Sequence, residues 1–226
     1  MLILLPPSEG KLSDAGRGVF GDLNPKLVQG VKPVLKHLRS LDGDAVGKFY
    51  GVKKAEKAQE AHRLNLGVLK HGGVRALERY TGVVYQHLEY ATLRAKRQAD
   101  RRVLVVSGMF GLIDGGCRIP NYKLPMNAWL ARYWVETNTR RLDELSGKRK
   151  VVSLLPQSHA KALSLDGVMH VQFKVAGGKK LAGHFGKAIK GRFVRFLLEN
   201  NVTSVKDFGD FREDEFRFDG TDFIQS

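Results

Sequence analysis

Glu9 and Lys11 lie two residues apart in the turn PPSEGK, beside Ser8, so an acid, a cation and a hydroxyl follow directly on the apolar run LILL at residues 2–5. A carboxylate and an amine so placed can orient a polar ligand or exchange protons with it. The competing reading is an ion pair that closes the turn, worth little at a surface. The spacing is not that of a phosphate-binding Gly-x-x-x-x-Gly-Lys-Ser/Thr loop. Two further polar segments have the same setting. SGMFG at residues 107–111 follows the apolar run at 103–106 and offers Ser107, Gly108 and Phe110. The Gly-x-Ser-x-Gly pattern is missing, so Ser107 is not read as a hydrolase nucleophile. Gly108 and Gly111 instead predict a tight turn with close approach of backbone to a ligand. PQSHAK at residues 156–161 follows the run at 151–155 and offers Ser158 and His159.

Arg118, Tyr122 and Lys123 sit on the Pro-stiffened stretch CRIPNYKLPMN, a mixture suited to holding phosphate and stacking on a base. The segment HFGKAIKGRFVRFLLEN, residues 184–200, carries the densest positive charge, with Lys187, Lys190, Arg192 and Arg195 inside nine positions. At helical spacing Ile189, Phe193, Phe196 and Leu197 share one face, Lys187 and Arg195 lie opposite, and Lys190 is at the border. A helix starting at Gly186 would add free backbone N–H groups to the attraction for an anion. The histidines have no His-Glu-x-x-His spacing, which excludes a zinc protease of that type. His159 and His184 fall in the polar segments, where an imidazole serves either as an acid–base group or as a haem-iron ligand.

Such residues need elements to position them. The three apolar runs are continuous rather than alternating, as in strands covered on both faces. Helical periodicity spans 27–40 and 74–98, which makes the chain mixed α and β. Alternation over 168–175, followed by GGKK, predicts a hairpin, and residues 14–21 read as a surface loop. Residues 45–61 read as two short helices around an FYGVK turn, loosely like a helix-hairpin-helix whose turn amides meet DNA phosphates. The expected organisation is one domain over 1–226, with that helical pair as an insert at about 41–66. If the apolar strands run parallel, their polar sequels crowd at one sheet edge, where ligands of open α/β sheets bind.

The whole chain is 226 residues with a net charge of +15 and pI near 10.0, a field that attracts anions such as phosphate backbones. MLILL is too short for a signal peptide or a membrane span. A single cysteine, Cys117, excludes an internal disulfide and a Cys-rich zinc site. A cytoplasmic protein with no membrane association is expected.

LLPPSEGK, YTGVVY at residues 80–85, SGMFG followed by RIPNYKL, and HFGKAIKGRFVRFLLEN, in that order, resemble the YaaA-like (DUF328, UPF0246) family of peroxide stress proteins over nearly the whole chain. The resemblance implies a mixed α/β fold, a central mixed sheet with flanking helices and a positively charged cleft, together with resistance to peroxide and DNA binding. Matched motif by motif, it implies a cleft containing Ser8, Glu9, Lys11, Tyr80, Thr81, Gly82, Ser107, Gly108, Tyr122, Lys123, Lys187, Lys190 and Gly191. The enteric branch has Ser-Pro-Ala-Lys where this chain has PPSE, and Phe-Tyr where it has His184 and Phe185. The family's Arg-Pro after the Ser-Gly turn is replaced near Asp114 and Gly115.

Two functions are expected from these residues. One is a peroxide-stress protein that binds DNA or a nucleotide-like anion in a basic cleft, using the cations above with Phe110, Arg118, Ser158 and Arg192. The other is a haem-dependent redox enzyme of oxygenase or N-hydroxylase type acting on a purine-like molecule, with Glu9, His159 and His184 in the chemistry and His184 or His159 as axial ligand.

Overall fold

A computed structural model describes residues 1–177, 181, 183–213 and 215–225. In chain order the strands are β1 (Leu2–Leu5), β2 (Arg17–Val19), β3 (Gly72–Arg75), β4 (Val103–Ser107), β5 (Gly111–Asp114), β6 (Arg118–Ile119), β7 (Val151–Ser153), β8 (Met169–His170), β9 (Phe173–Val175), β10 (Phe216–Phe218) and β11 (Phe223–Gln225). The helices are α1 (Phe20–Leu23), α2 (Pro25–Arg39), α3 (Gly43–Tyr50), α4 (Ala55–Leu66), α5 (Ala76–Arg79), α6 (Val83–Leu88), α7 (Lys96–Arg102), α8 (Ala128–Ser146), α9 (Gln157–Ala160) and α10 (Gly183–Glu199).

The central sheet has the order β5-β4-β1-β7-β8. Every residue of β1 is buried, as its unbroken apolar run requires for a strand with cover on both faces. It lies parallel to β4, with Ile3 opposite Val103, and parallel to β7, with Ile3 opposite Val152. β8 joins β7 in parallel and β5 returns antiparallel on β4. The residues that follow β1, β4 and β7 therefore leave the sheet at one edge, which fulfils the expectation of parallel strands. Two small sheets, β2-β3-β6 and β10-β11-β9, stand outside this one.

Three local expectations need correction. The helical period over 74–98 is broken into β3, α5, α6 and α7, because β3 pairs with β2 and β6 and Tyr80 is extended between α5 and α6. Long-range pairing overrides local periodicity there. Of the expected hairpin over 168–175 and GGKK, the strand stretch splits into β8, which pairs with β7, and β9, which pairs in parallel with β11; the Leu181 amide donates to the Phe173 carbonyl at 2.9 Å beyond the turn, and residues 178–180 lie outside the described residues. Helix α10 begins at Gly183 rather than at Gly186, which is buried one turn inside it.

The other helices follow their sequence more closely. α2 covers the expected 27–40 to within two residues, with Val31, Val34, Leu35 and Leu38 buried. Gly51, at φ +66°, closes α3 before α4. On α10, Ile189, Phe193 and Leu197 are buried and Phe196 is half-buried, as the periodicity predicts. Phe193 packs among Phe173, Phe208, Phe211 and Phe223. The other side of α10 rests on α6 at Gly191. A Cβ there would overlap the Val84 carbonyl oxygen and lie 2.8 Å from His87 Cβ, so only glycine permits this spacing. Among the described residues no helix is long and apolar enough to cross a membrane.

Candidate functional site

The turn after β1 is folded back by its own polar groups. Ser8 Oγ donates to the Gly10 carbonyl at 2.5 Å and accepts from the Gly82 amide at 3.1 Å. A Cβ on Gly82 would lie 2.6 Å from Ser8 Cβ, so the start of α6 reaches Ser8 only with glycine there. The Thr81 amide donates to the Gly10 carbonyl at 3.0 Å, and Lys11 and Tyr80 form an antiparallel bridge. Tyr85 Oη donates to the Pro6 carbonyl at 2.7 Å. RYTGVVY and PPSEGK are thus one structural unit, although some 70 residues separate them.

Lys11 Nζ turns back onto this loop. It donates to the carbonyls of Ser8 at 2.7 Å and Glu9 at 3.4 Å, and it stands 4.4 Å from the centre of the Tyr122 ring and 5.6 Å from that of Tyr80. The Glu9 side chain is exposed, and the contact between these two residues runs through the Glu9 backbone. Burial pushes the Lys11 amine down to about 8, against the upward pull of Glu9 and with help from the cations Lys123 and Arg79.

Beneath Lys11 runs a hydroxyl chain. Ser107 Oγ lies 2.8 Å from Tyr122 Oη, which lies 2.9 Å from Tyr80 Oη. The amides of Met109 and Phe110 donate to Ser107 Oγ at 3.1 and 3.2 Å. Those two bonds occupy acceptor positions on Ser107 and leave its hydroxyl proton for Tyr122, while either phenol of the Tyr122–Tyr80 pair can be the donor. Burial pushes Tyr122 up to about 12 and holds Tyr80 and Tyr85 well above the ordinary phenol value. These phenols stay protonated at neutral pH and act as directional donors rather than bases.

Ser8, Lys11, Tyr80, Gly82, Ser107 and Tyr122 therefore form one contiguous cluster at the carboxyl edge of the sheet. Lys190 Nζ lies 3.4 Å from the Leu154 carbonyl, just beyond the end of β7 on the same edge. Thr81, Lys187 and His184 are exposed, the last two in the first turns of α10. Ser158 and His159 lie on α9, 3.1 Å apart at Oγ and Nδ1, and burial holds the His159 imidazole down at about 4.

Other candidates are engaged elsewhere. Gly108 and Phe110 are buried. Gly108 accepts from Trp134 Nε1 at 2.9 Å, and a Cβ on it would lie 2.9 Å from the Leu124 carbonyl, so its close approach is to the protein's own chain. Phe110 packs on Phe20 and Tyr122. Arg118 donates to the Gly73 carbonyl at 3.1 Å in the sheet β2-β3-β6. Lys123 is anchored through its backbone by Asn65, and its amine stands 3.9 Å from Glu60. On α10, Arg192 pairs with Glu213 at 3.3 Å, and Arg195 pairs with Glu89 at 3.3 Å and Glu199 at 3.7 Å. Arg192 and Arg195 are thus each paired with acids.

Sequence reasoning missed Arg79, Tyr85 and Asn65. Arg79 is fully buried and donates to the carbonyls of Leu12 at 2.5 Å, Asp14 at 2.6 Å and Ile119 at 3.2 Å, tying the PPSEGK loop to the strand before Tyr122. Its one signal is adjacency to YTGVVY. A cavity of about 460 Å³ borders the cluster from behind, lined by Tyr80, Thr81, Tyr85, Tyr90, Glu89 and Lys96 among others. A second, of similar volume, lies between α3 and α4 and includes Gly47, Lys48, Gly51 and Lys53. Among the described residues no group of three or more His, Cys, Asp or Glu could hold a metal ion.

Comparison with known proteins points to the same family. The family model described as peroxide stress protein YaaA matches residues 1–222. A UPF0246 protein of Streptomyces coelicolor is 36% identical over 218 residues, covering 88% of this chain and 83% of its own length. A UPF0246 protein of Corynebacterium glutamicum is 29% identical over 87% of this chain and 84% of its own length. An uncharacterised protein of Campylobacter jejuni is 23% identical over 92% and 88%, respectively. With a central, mostly parallel sheet flanked by helices and a family match over nearly its full length, the chain belongs to the YaaA peroxide stress protein family.

Proposed function

We propose that this chain acts in the peroxide stress response by binding DNA, or a nucleotide-like anion, at the carboxyl edge of its central sheet. The observation that carries the reading is Lys11, a cation held by backbone carbonyls and ring faces rather than by a carboxylate, at the end of the central strand. Lys190, beyond the end of the adjacent strand β7, supplies a second positive group on that edge. The net charge of +15 supplies the long-range attraction. Lys48 and Lys53 beside the Gly51 turn offer a further contact for a duplex that extends past the edge. Binding of a labelled duplex, followed by fluorescence polarisation, tests this. Affinity falls steeply between about 50 and 200 mM salt if phosphates are being neutralised. Affinity that does not change over that range removes the DNA reading.

A second reading, redox chemistry on a purine-like molecule with haem, draws support from His159. An imidazole held near 4 is neutral at physiological pH and so in the form that ligates iron. The visible spectrum after haem addition decides it: a Soret band lost in His159→Ala supports this reading, and no band removes it.

A further inference from the structure

We propose that Lys11 is a carbonyl-reactive amine, which forms an imine with an aldehyde carried on a phosphate-bearing ligand. The inference goes beyond anion binding, and it shares a site with that reading without requiring DNA. Three features of the geometry carry it. First, the amine's hydrogen bonds go to backbone carbonyls, those of Ser8 and Glu9, and it lies over the faces of Tyr122 and Tyr80. A lysine packed against rings, with a second cation near it, is the setting in which the neutral amine becomes available as a nucleophile. Second, Lys11 is only half-buried and stands at the sheet edge where ligands of such folds enter. Third, Lys123 acts on it through space and is exposed, its amine 3.9 Å from the exposed Glu60, so a phosphate beside Lys11 would compete with Glu60 for this cation.

The chemistry balances without an oxidant or reductant. The neutral amine attacks the carbonyl carbon, a C–N bond forms as the C=O π bond opens, and a proton passes from nitrogen to oxygen to give a carbinolamine. That hydroxyl takes one proton from solvent, its C–O bond breaks to release water, and the product is an imine protonated at nitrogen. Glu9, exposed on the same turn, supplies a carboxylate that can exchange these protons with solvent. Burial has the largest effect on the state of the amine and disfavours the ammonium, Glu9 favours it, and Lys123 and Arg79 disfavour it; the neutral phenols of Tyr80 and Tyr122 face it as rings. With the amine held at about 8, about a quarter of it is neutral near pH 7.5, against about one in a thousand for an ordinary lysine.

The test is reductive trapping on the full chain. The protein is incubated with glycolaldehyde phosphate near pH 7.5, reduced with borohydride, digested, and each lysine's adduct quantified by mass spectrometry. Lys11 is expected to be labelled at least about tenfold faster than the exposed lysines, with a rate that levels off above about pH 8 while theirs keeps rising. Lys123→Ala is expected to slow labelling by the phosphate-bearing aldehyde but not by plain glycolaldehyde. Labelling of Lys11 no faster than that of the exposed lysines overturns the proposal. Because the readout is the ratio among lysines of the unmodified protein, it does not depend on any variant folding. A parallel arm uses an abasic DNA duplex, whose opened sugar presents an aldehyde between phosphates. A Lys11 adduct with the duplex alone assigns the ligand to DNA, an adduct with the small aldehyde alone assigns it to a free sugar phosphate, and adducts with neither overturn the proposal. Salt-dependent DNA binding without trapping leaves the binding reading intact and removes only the imine.

Discussion

Replacing Gly191 by alanine tests whether α6 and α10 cross as closely as the site requires. The added methyl would overlap the Val84 carbonyl oxygen and approach His87 Cβ to 2.8 Å and the Leu88 amide to 3.0 Å. Two of these three neighbours are backbone atoms of α6, so no side-chain rotation relieves them, and the helices must separate. Overpacking of this kind costs about 1–3 kcal/mol, with values at or beyond the upper end expected for backbone overlap. Alanine is a better helix former than glycine and returns up to about 1 kcal/mol. The net loss of about 2–3 kcal/mol corresponds to a fall in Tm of about 4–12 °C for a chain of this size. Thermal unfolding followed by circular dichroism reads it directly. Gly209→Ala, where an added Cβ meets nothing within 4 Å, is the control and should leave Tm within about 2 °C. Because α6 begins at the Gly82 amide that holds Ser8, Gly191→Ala should also weaken ligand binding at the sheet edge. A Gly191→Ala protein that melts with or above the unaltered one refutes the close crossing, and with it the coupling of α10 to the PPSEGK turn.

Arg79→Met should destabilise by about 3–5 kcal/mol in chemical denaturation, since it leaves the carbonyls of Leu12, Asp14 and Ile119 without their donor; a loss below 1 kcal/mol would show that the loop does not need this tie. Lys11 is held at about 8 against an ordinary 10.5, so the folded state releases its proton first and stability gains from this group as pH rises from about 8 to 10.5. The stability difference between the unaltered protein and Lys11→Met should therefore grow in favour of the former over that window, and a flat difference contradicts the burial of the amine. His159, held at about 4 against 6.5, binds protons in the unfolded state first, so stability from this group is lost as pH falls from about 6.5 to 4. Its ring resonances in NMR should titrate near 4, and His159→Gln should flatten the acid limb of the stability profile; titration near 6.5 contradicts it.

The sheet and the edge where its polar loops gather were legible because they depend on local pattern: LILL and VLVV can only be strands covered on both faces, and parallel strands send their sequels to one side. The break in residues 74–98 was not legible, because β3 exists through partners at residues 17–19 and 118–119. Nor was the neutralisation of Arg192 and Arg195, whose acids Glu213 and Glu89 lie 21 and 106 residues away. Tyr85 and Arg79 escaped for a related reason. They act on backbone carbonyls of Pro6, Leu12 and Asp14, and the position of a carbonyl leaves no letter in the sequence. Ser8, Lys11, Ser107 and Tyr122 were singled out by polar type in turns after apolar runs and by the family motifs, but their contact as a hydroxyl chain under an amine came only with coordinates.

The most direct test of an anion site at this edge is the salt dependence of duplex binding in Lys11→Met and Lys190→Met beside the unaltered protein. If each amine meets a phosphate, each variant binds more weakly at low salt, and the slope of log affinity against log salt becomes shallower by about 0.9 per lost contact. Affinities and slopes that coincide with those of the unaltered protein would place the DNA contact elsewhere on the molecule.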